Sequence, residues 1–235
     1  MPPKKKRKPP RKRAPIKPRK SIATRKKPQK PKRKVKSKPV HIPVSSIHRE
    51  SCEHTYKQYK EGKQLGRGAS GTVHELCKDN KCPYVLKVQR GNVDLERFLR
   101  EIEYQKKAHA FAPKIFDAWT CFHYDIVNVR HGFIVMERMD GSLTDYIVSH
   151  RPLEQSFVQT FMKILGSHVK RLHGLGIDHH DLKPDNIFFK GHKWYIGDFG
   201  LARPLNSFHS DTVRDDTETL QWIESILLRE VKNAT

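Results

Sequence analysis

Acidic residues are missing from the first 40 positions, which carry 20 lysines and arginines and no aspartate or glutamate. The other 27 basic residues face all 25 acids, so the charge of +22 sits almost wholly at one end of the 235-residue chain. The same 40 positions hold nine prolines and no aromatic residue. Such a segment buries too little apolar surface to offset the entropy of ordering, and residues 1–45 read as a disordered basic tail. No apolar run approaches the roughly 18–20 residues that span a bilayer, and the N-terminus has no apolar signal-peptide core. The expectation is a soluble, intracellular protein with no membrane partner. Cysteine is scarce: Cys52, Cys77, Cys82 and Cys121 form no C-x-x-C pair, which argues against disulfides and structural zinc and predicts free thiols. The fourteen histidines are scattered with no H-E-x-x-H, so none is read as part of a metal cluster.

Within the tail, Pro3-Lys4-Lys5-Lys6-Arg7-Lys8 resembles a short nuclear-localisation signal, a cation run suited to an acidic importer groove. Residues 1–40 would also bind nucleic acid without sequence preference, by neutralising phosphates and releasing counterions. The tail has no aromatic residue to stack on bases. A plain spacer is the remaining reading.

Beyond the tail, Gly66-Arg67-Gly68-Ala69-Ser70-Gly71-Thr72-Val73 fits G-x-G-x-x-G-x-V. By itself that pattern equally marks a tight turn or a dinucleotide loop. A dinucleotide site needs a helix directly after the glycines, but residues 72–76 alternate as a strand, 77–81 supply turn residues, and 84–88 read as a second strand. The pattern predicts a glycine-tipped hairpin. Glycines let backbone N–H groups approach phosphates, and Lys87 on the following strand is placed to reach phosphate oxygens. Residues 95–103 read as a helix with apolar positions 95, 98, 99 and 102. Glu101 is the expected carboxylate partner of Lys87, with Glu103 in reserve.

Farther on, His179-His180-Asp181-Leu182-Lys183-Pro184-Asp185-Asn186 is followed twelve positions after Asn186 by Asp198-Phe199-Gly200. A candidate base and two oxygen ligands suited to Mg²⁺ fall close together, the requirement of a phosphoryl transfer carried by positioning and electrostatics.

In order and spacing these segments resemble the eukaryotic-type protein kinase family over roughly residues 56–203. The resemblance implies an α+β fold: a sheet-rich N-lobe and hinge strand over 46–139, and a truncated helical C-lobe over 140–235. It implies ATP and Mg²⁺ as cofactors and a protein substrate. Asp181 matches the aspartate that receives the acceptor hydroxyl's proton, and Asn186 and Asp198 match the metal ligands. Lys183 matches the lysine typical of serine/threonine kinases, while Lys87 and Glu101 complete the catalytic set. Gly66, Gly68, Gly71, Val73, Val85 and Lys87 fall at the nucleotide site. Residues 133–141 resemble the strand entering the hinge, with Met136 as gatekeeper and the backbones of Glu137 and Met139 toward adenine. His179 is expected to brace the loop, and Asp185 to cap a turn.

Two departures stand out. The family's H-R-D is His179-His180-Asp181, so the arginine that gathers a phosphorylated activation loop is replaced by a histidine lacking its bidentate fork. Activity without loop phosphorylation is expected, with Ser207, Ser210 and Thr212 dispensable. No A-P-E follows Asp198-Phe199-Gly200, and 35 residues remain after Gly200. Asp215-Asp216-Thr217 opens a predicted helix with Leu220, Ile223, Ile226, Leu227 and Val231 at helical spacing, and Asp216 with Leu220 resembles the D-x-x-x-L of the family's central C-lobe helix. Such compactness resembles the minimal kinases found in large DNA viruses and some compact atypical kinases. The expected function is a nuclear serine/threonine kinase. The alternatives are a catalytically weak pseudokinase scaffold, a small-molecule kinase, and a nucleic-acid-binding protein acting through its tail.

Overall fold

A computed structural model describes residues 47–68, 71–123, 129–205 and 215–231. The basic tail, with Pro3 to Lys8, lies outside these residues, as do Ala69, Ser70, Ser207, Ser210, Thr212 and Arg214.

The first half of the described chain is a five-stranded antiparallel sheet with one helix. Its strands are β1 (Lys60–Gly68), β2 (Gly71–Lys78), β3 (Lys81–Gln89), β4 (Ile115–His123) and β5 (Val129–Glu137), ordered β1-β2-β3-β5-β4. Helix α1 (Leu95–Lys107) lies between β3 and β4 in sequence. The β2–β3 connection is the two-residue Asp79-Asn80 turn, both residues at positive φ, which matches the twist of a tight hairpin.

Period-two alternation sorts the strand side chains into two layers. Leu76, Leu86, Val88, Phe133 and Val135 form one core with Trp119 and Cys121, whereas Ile134 packs with Phe98 and Ile102 of α1 on the other side. Lys87 sits in register with Ile134, and Val85 with Met136. Alternation therefore carries a lysine to the face that α1 covers. The Asp94 carboxylate caps α1 by accepting the N–H groups of Glu96 and Arg97.

The segment before β1 seals the edge and the far face of the sheet. His48 pairs in parallel with Thr120 on β4, the outer strand of the order, and Arg49 places both its guanidinium on Asp117 at 2.8 Å and its plane over Trp119 at 4.2 Å. Tyr56 then joins the Leu86 and Trp119 core. This route corrects the expectation of free thiols: the structure contains Cys52–Cys121 and Cys77–Cys82 disulfides. The first pair is 69 positions apart and meets because the His48 bridge lays the segment along β4. The second faces across the Asp79-Asn80 turn. Neither proximity is written in cysteine spacing.

The second half is mainly helical: β6 (Gly141–Ser142), α2 (Leu143–His150), α3 (Gln155–Gly174), β7 (Ile177–Asp178), β8 (Ile187–Lys190), β9 (Lys193–Ile196), β10 (Arg203–Pro204) and α4 (Asp216–Arg229). Ser142 and Asp145 form a reciprocal capping box on α2. Along α3, Val158, Phe161, Leu165, Val169 and Leu172 recur at three- and four-residue intervals and enter one core with Ile223 and Leu227 of α4. Leu220 and Ile226 pack against that core half-buried. Val231, predicted to continue the helical stripe, lies past the end of α4 and bridges Leu153 instead. Among the described residues, no helix is long and apolar enough to cross a membrane.

Candidate active site

The β1–β2 hairpin carries the predicted glycines, and Gly71 at its turn backs onto β3. At Gly71 a side chain is excluded: φ is +131°, and a Cβ would sit 2.1 Å from the Val88 carbonyl oxygen. Gly66 and Gly68 have open space where a Cβ would point. Val73 is paired in register with Lys87.

The Lys87 ammonium is buried and donates to Glu101 Oε1 and Asp198 Oδ1, each at 2.7 Å. Burial alone would push this lysine down, but the two carboxylates outweigh it and hold its pKa above the usual lysine range. For Asp198 burial works upward and the adjacent Lys87 ammonium wins, so the carboxyl stays below its ordinary range. Glu101 is held from a second side, because Gln89 Nε2 donates to its Oε2 at 2.7 Å. Glu103, the reserve candidate, pairs with Lys107 on its own helix.

A second cluster forms in the loop after β7. Lys183 Nζ lies 2.9 and 2.8 Å from the two Asp181 carboxylate oxygens. Asn186 Nδ2 donates to the Asp181 backbone oxygen and to Asp181 Oδ2, both at 2.8 Å. Pro184 at the start of the turn over residues 184–186 sets the φ that lets the loop reverse. The Gly197 N–H donates to the Asn186 carbonyl, which ties this loop to the Asp198 segment. His179 makes the second tie. Its Nδ1 accepts the Asp181 N–H at 3.3 Å, so Nε2 carries the proton and donates to the Gly197 carbonyl at 3.1 Å. Burial pushes His179 down to about 4, which keeps the ring neutral. Asp185 accepts from Thr144 Oγ1 at the exposed start of α2.

At the other edge, Met136 and Met139 are half-buried and Met136 Sδ accepts from Gln105 at 3.3 Å. The Glu137 N–H donates to the Lys114 carbonyl, and its carboxylate accepts from Lys190 Nζ at 2.7 Å.

Three participants were not in the predicted set. Asp216 accepts the backbone N–H groups of His179 at 2.8 Å and of His180 at 3.2 Å, fixing the loop from α4. Burial, reinforced by Asp178, pushes its carboxyl up to about 6. The D-x-x-x-L spacing was its only signal. Arg97 Nε donates to the Gly200 carbonyl at 2.7 Å, and its position one turn before Glu101 on the same helix was the available clue. Gln89 had none, since it depends on β3 and α1 meeting.

The protein kinase domain model matches residues 59–232. The chain is 35% identical over 146 residues to mitogen-activated protein kinase 11 of Arabidopsis thaliana, covering 59% of this chain and 39% of that protein. To mitogen-activated protein kinase 6 of Oryza sativa subsp. japonica it is 34% identical over 146 residues, covering 59% and 38%. To the serine/threonine-protein kinase sax-1 of Caenorhabditis elegans it is 27% identical over 177 residues, covering 71% and 36%. The chain thus spans well under half the length of these relatives. The family match nevertheless runs through β1 to α4 and takes in both charged clusters, and the chain belongs to the protein kinase family.

Proposed function

We propose that this chain transfers the γ-phosphate of ATP to serine or threonine hydroxyls of protein substrates. The observation that carries the reading is the buried Lys87 ammonium held at 2.7 Å by both Glu101 and Asp198, which joins the sheet, α1 and the Asp198 segment at a single charge. A lysine fixed in this way suits a phosphate clamp, and the serine/threonine-kinase names of the relatives support the acceptor class.

In this reading the glycine hairpin covers the triphosphate, Val73 and Val85 pack against adenine, and the Glu137 carbonyl and Met139 backbone meet its edge. Lys87 orients the α- and β-phosphates. Asp198 and Asn186 would hold Mg²⁺: both present hard oxygen donors, and Asn186 spends its Nδ2 on Asp181, which reserves its amide oxygen. Bound Mg²⁺ supplies charge neutralisation at the phosphate oxygens. Asp181 accepts the proton of the acceptor hydroxyl as its oxygen bonds to the γ-phosphorus and the β–γ bridging oxygen leaves with ADP. Lys183, beside the same carboxylate, offsets the negative charge of the transferring phosphate. His179 and Asp216 keep that carboxylate in place.

Nuclear delivery through Pro3 to Lys8, and salt-sensitive contact of residues 1–40 with nucleic acid, belong to the same proposal. Incubating the purified chain with labelled ATP, Mg²⁺ and basic or acidic protein acceptors tests the activity, and phosphoamino-acid analysis tests the residue class. ATP binding without transfer to any acceptor would favour the scaffold reading.

A further inference from the structure

Behind the loop that carries Asp181, two buried carboxyl groups meet. Asp178 ends β7 and Asp216 opens α4, and they are 4% and 1% exposed. Their side chains hydrogen-bond to each other. A carboxylate offers lone pairs and no hydrogen, so this contact requires a proton shared by the pair. One proton between them also reduces the cost of burying two negative charges side by side.

Each member of the pair holds His180 by a different handle. Asp216 Oδ1 accepts the His180 backbone N–H at 3.2 Å, and Asp178 Oδ2 lies 3.3 Å from His180 Nε2. His180 has a φ of +62°, in the left-handed region that a residue with a Cβ adopts only when its surroundings impose it. Asp181 is the next residue. If His180 relaxed toward ordinary backbone angles, the Asp181 carboxylate would leave the position that Lys183 and Asn186 define.

Other groups surround the pair. On α3, His173 Nε2 lies 3.1 Å from Asp216 Oδ2 and 4.0 Å from Asp178 Oδ1. In the loop, His179 donates its backbone N–H to Asp216 Oδ2 at 2.8 Å, with its ring tied to Gly197 and Asp181. On β10, Arg203 stands opposite Asp178 in register and is exposed, as are Asp215 and Glu218 at the start of α4. Asp178 joins the Asp216 carboxyl to the His180 ring. The histidine at the resembling family's arginine position thus takes an internal carboxyl as its partner. Resting on the phosphotransfer reading, we propose that Asp178 is a positioning residue of the reaction, which through its shared proton with Asp216 and its contact with the His180 ring holds the backbone that places Asp181.

The test compares Asp178→Asn with Asp178→Leu in the full chain, measuring kcat and KM for ATP at saturating acceptor between about pH 5 and 8. Asparagine keeps a donor for Asp216 and an oxygen for His180 but no titratable proton, whereas leucine keeps the volume and loses both contacts. Asp178→Leu should lower kcat roughly 10–100-fold with KM for ATP nearly unchanged, because the loop is misplaced and the nucleotide contacts lie elsewhere. Asp178→Asn should recover most of that rate. Asp216 is pushed up to about 6, so the shared proton leaves as pH rises through that value and two ionised carboxylates then repel, while the amide keeps its N–H. The ratio of wild-type kcat to that of Asp178→Asn should therefore fall as pH rises through the same range. A folded Asp178→Leu variant with wild-type kcat, or a ratio that is flat with pH, would overturn the proposal. Where circular dichroism shows Asp178→Leu unfolded, the ratio alone decides. Wild type without turnover would refute the phosphotransfer reading and this role with it, whereas normal turnover indifferent to the residue at 178 would overturn this role alone.

Discussion

Arg97 Nε donates to the carbonyl of Gly200 at 2.7 Å, fastening helix α1 to the segment that carries Asp198. Glu101 lies one turn farther along the same helix, on Lys87. The helix is therefore held in its engaged position by a side chain of its own. Arg97→Ala is expected to lower kcat roughly 10–100-fold, the scale on which small misplacements cost rate. Alanine at Ser207, Ser210 and Thr212 together should change it little. A large loss in that triple variant, or a loss on phosphatase treatment of the wild type that rephosphorylation reverses, would show that another cation such as Arg203 gathers a phosphate.

Lys87→Met and Asp198→Asn should each cut phosphotransfer by at least about 10²-fold. Lys87→Met should also cost stability, about 3–5 kcal/mol, because it strands the buried Glu101 carboxylate without its cation. Adding Glu101→Gln to Lys87→Met should recover much of that stability and none of the activity. Denaturant titration beside a transfer assay separates the two effects, and unimpaired turnover in Asp198→Asn would refute the assignment.

The disulfides should contribute unequally. Closing a loop of 69 positions restricts the unfolded chain by about 4 kcal/mol, and closing one of five positions by about 2 kcal/mol. Cys52→Ser should thus lower the denaturation midpoint more than Cys77→Ser. Alkylation and mass spectrometry of non-reduced protein should show no free thiol.

His179 and Asp216 should oppose each other in acid. His179 is pushed down to about 4, so between about pH 4 and 6.5 the unfolded chain binds its proton and the folded chain does not; stability rises with pH. Asp216 is pushed up to about 6, so between about pH 4 and 6 the folded chain holds the extra proton and stability falls with pH. Each amounts to about 3 kcal/mol, and the two nearly cancel. Asp216→Asn removes the falling contribution, so its stability should climb between pH 4 and 6 more steeply than that of the wild type. Parallel curves would disprove the coupling.

Removing residues 1–40 should leave ATP turnover nearly unchanged, since every residue of the two charged clusters lies beyond position 86. The truncated chain should lose nuclear accumulation and bind nucleic acid with a shallower salt dependence. Continued concentration in nuclei would exclude Pro3 to Lys8 as the address.

The sequence determined what local periodicity and short motifs encode. Alternation from Thr72 to Val88 fixed a hairpin and placed Lys87 opposite Leu86. The stripe through Leu95, Phe98 and Ile102 fixed α1, and the runs at 179–186 and 198–200 carried a compact, order-dependent pattern. Tertiary structure alone decided which distant groups meet. Glu101 and Glu103 are both acids on one helix, and only the docking of α1 on β3 buries the first against Lys87 and leaves the second to Lys107. Cys52 reaches Cys121 because an edge strand accepts the chain before β1 as a parallel neighbour. His173, Asp178, His180 and Asp216 span 43 positions and read as scattered polar residues. They share one buried site because α3 and α4 pack through Leu165, Leu172, Ile223 and Leu227, and side-chain burial of that kind follows from the whole core rather than from any local stretch of chain.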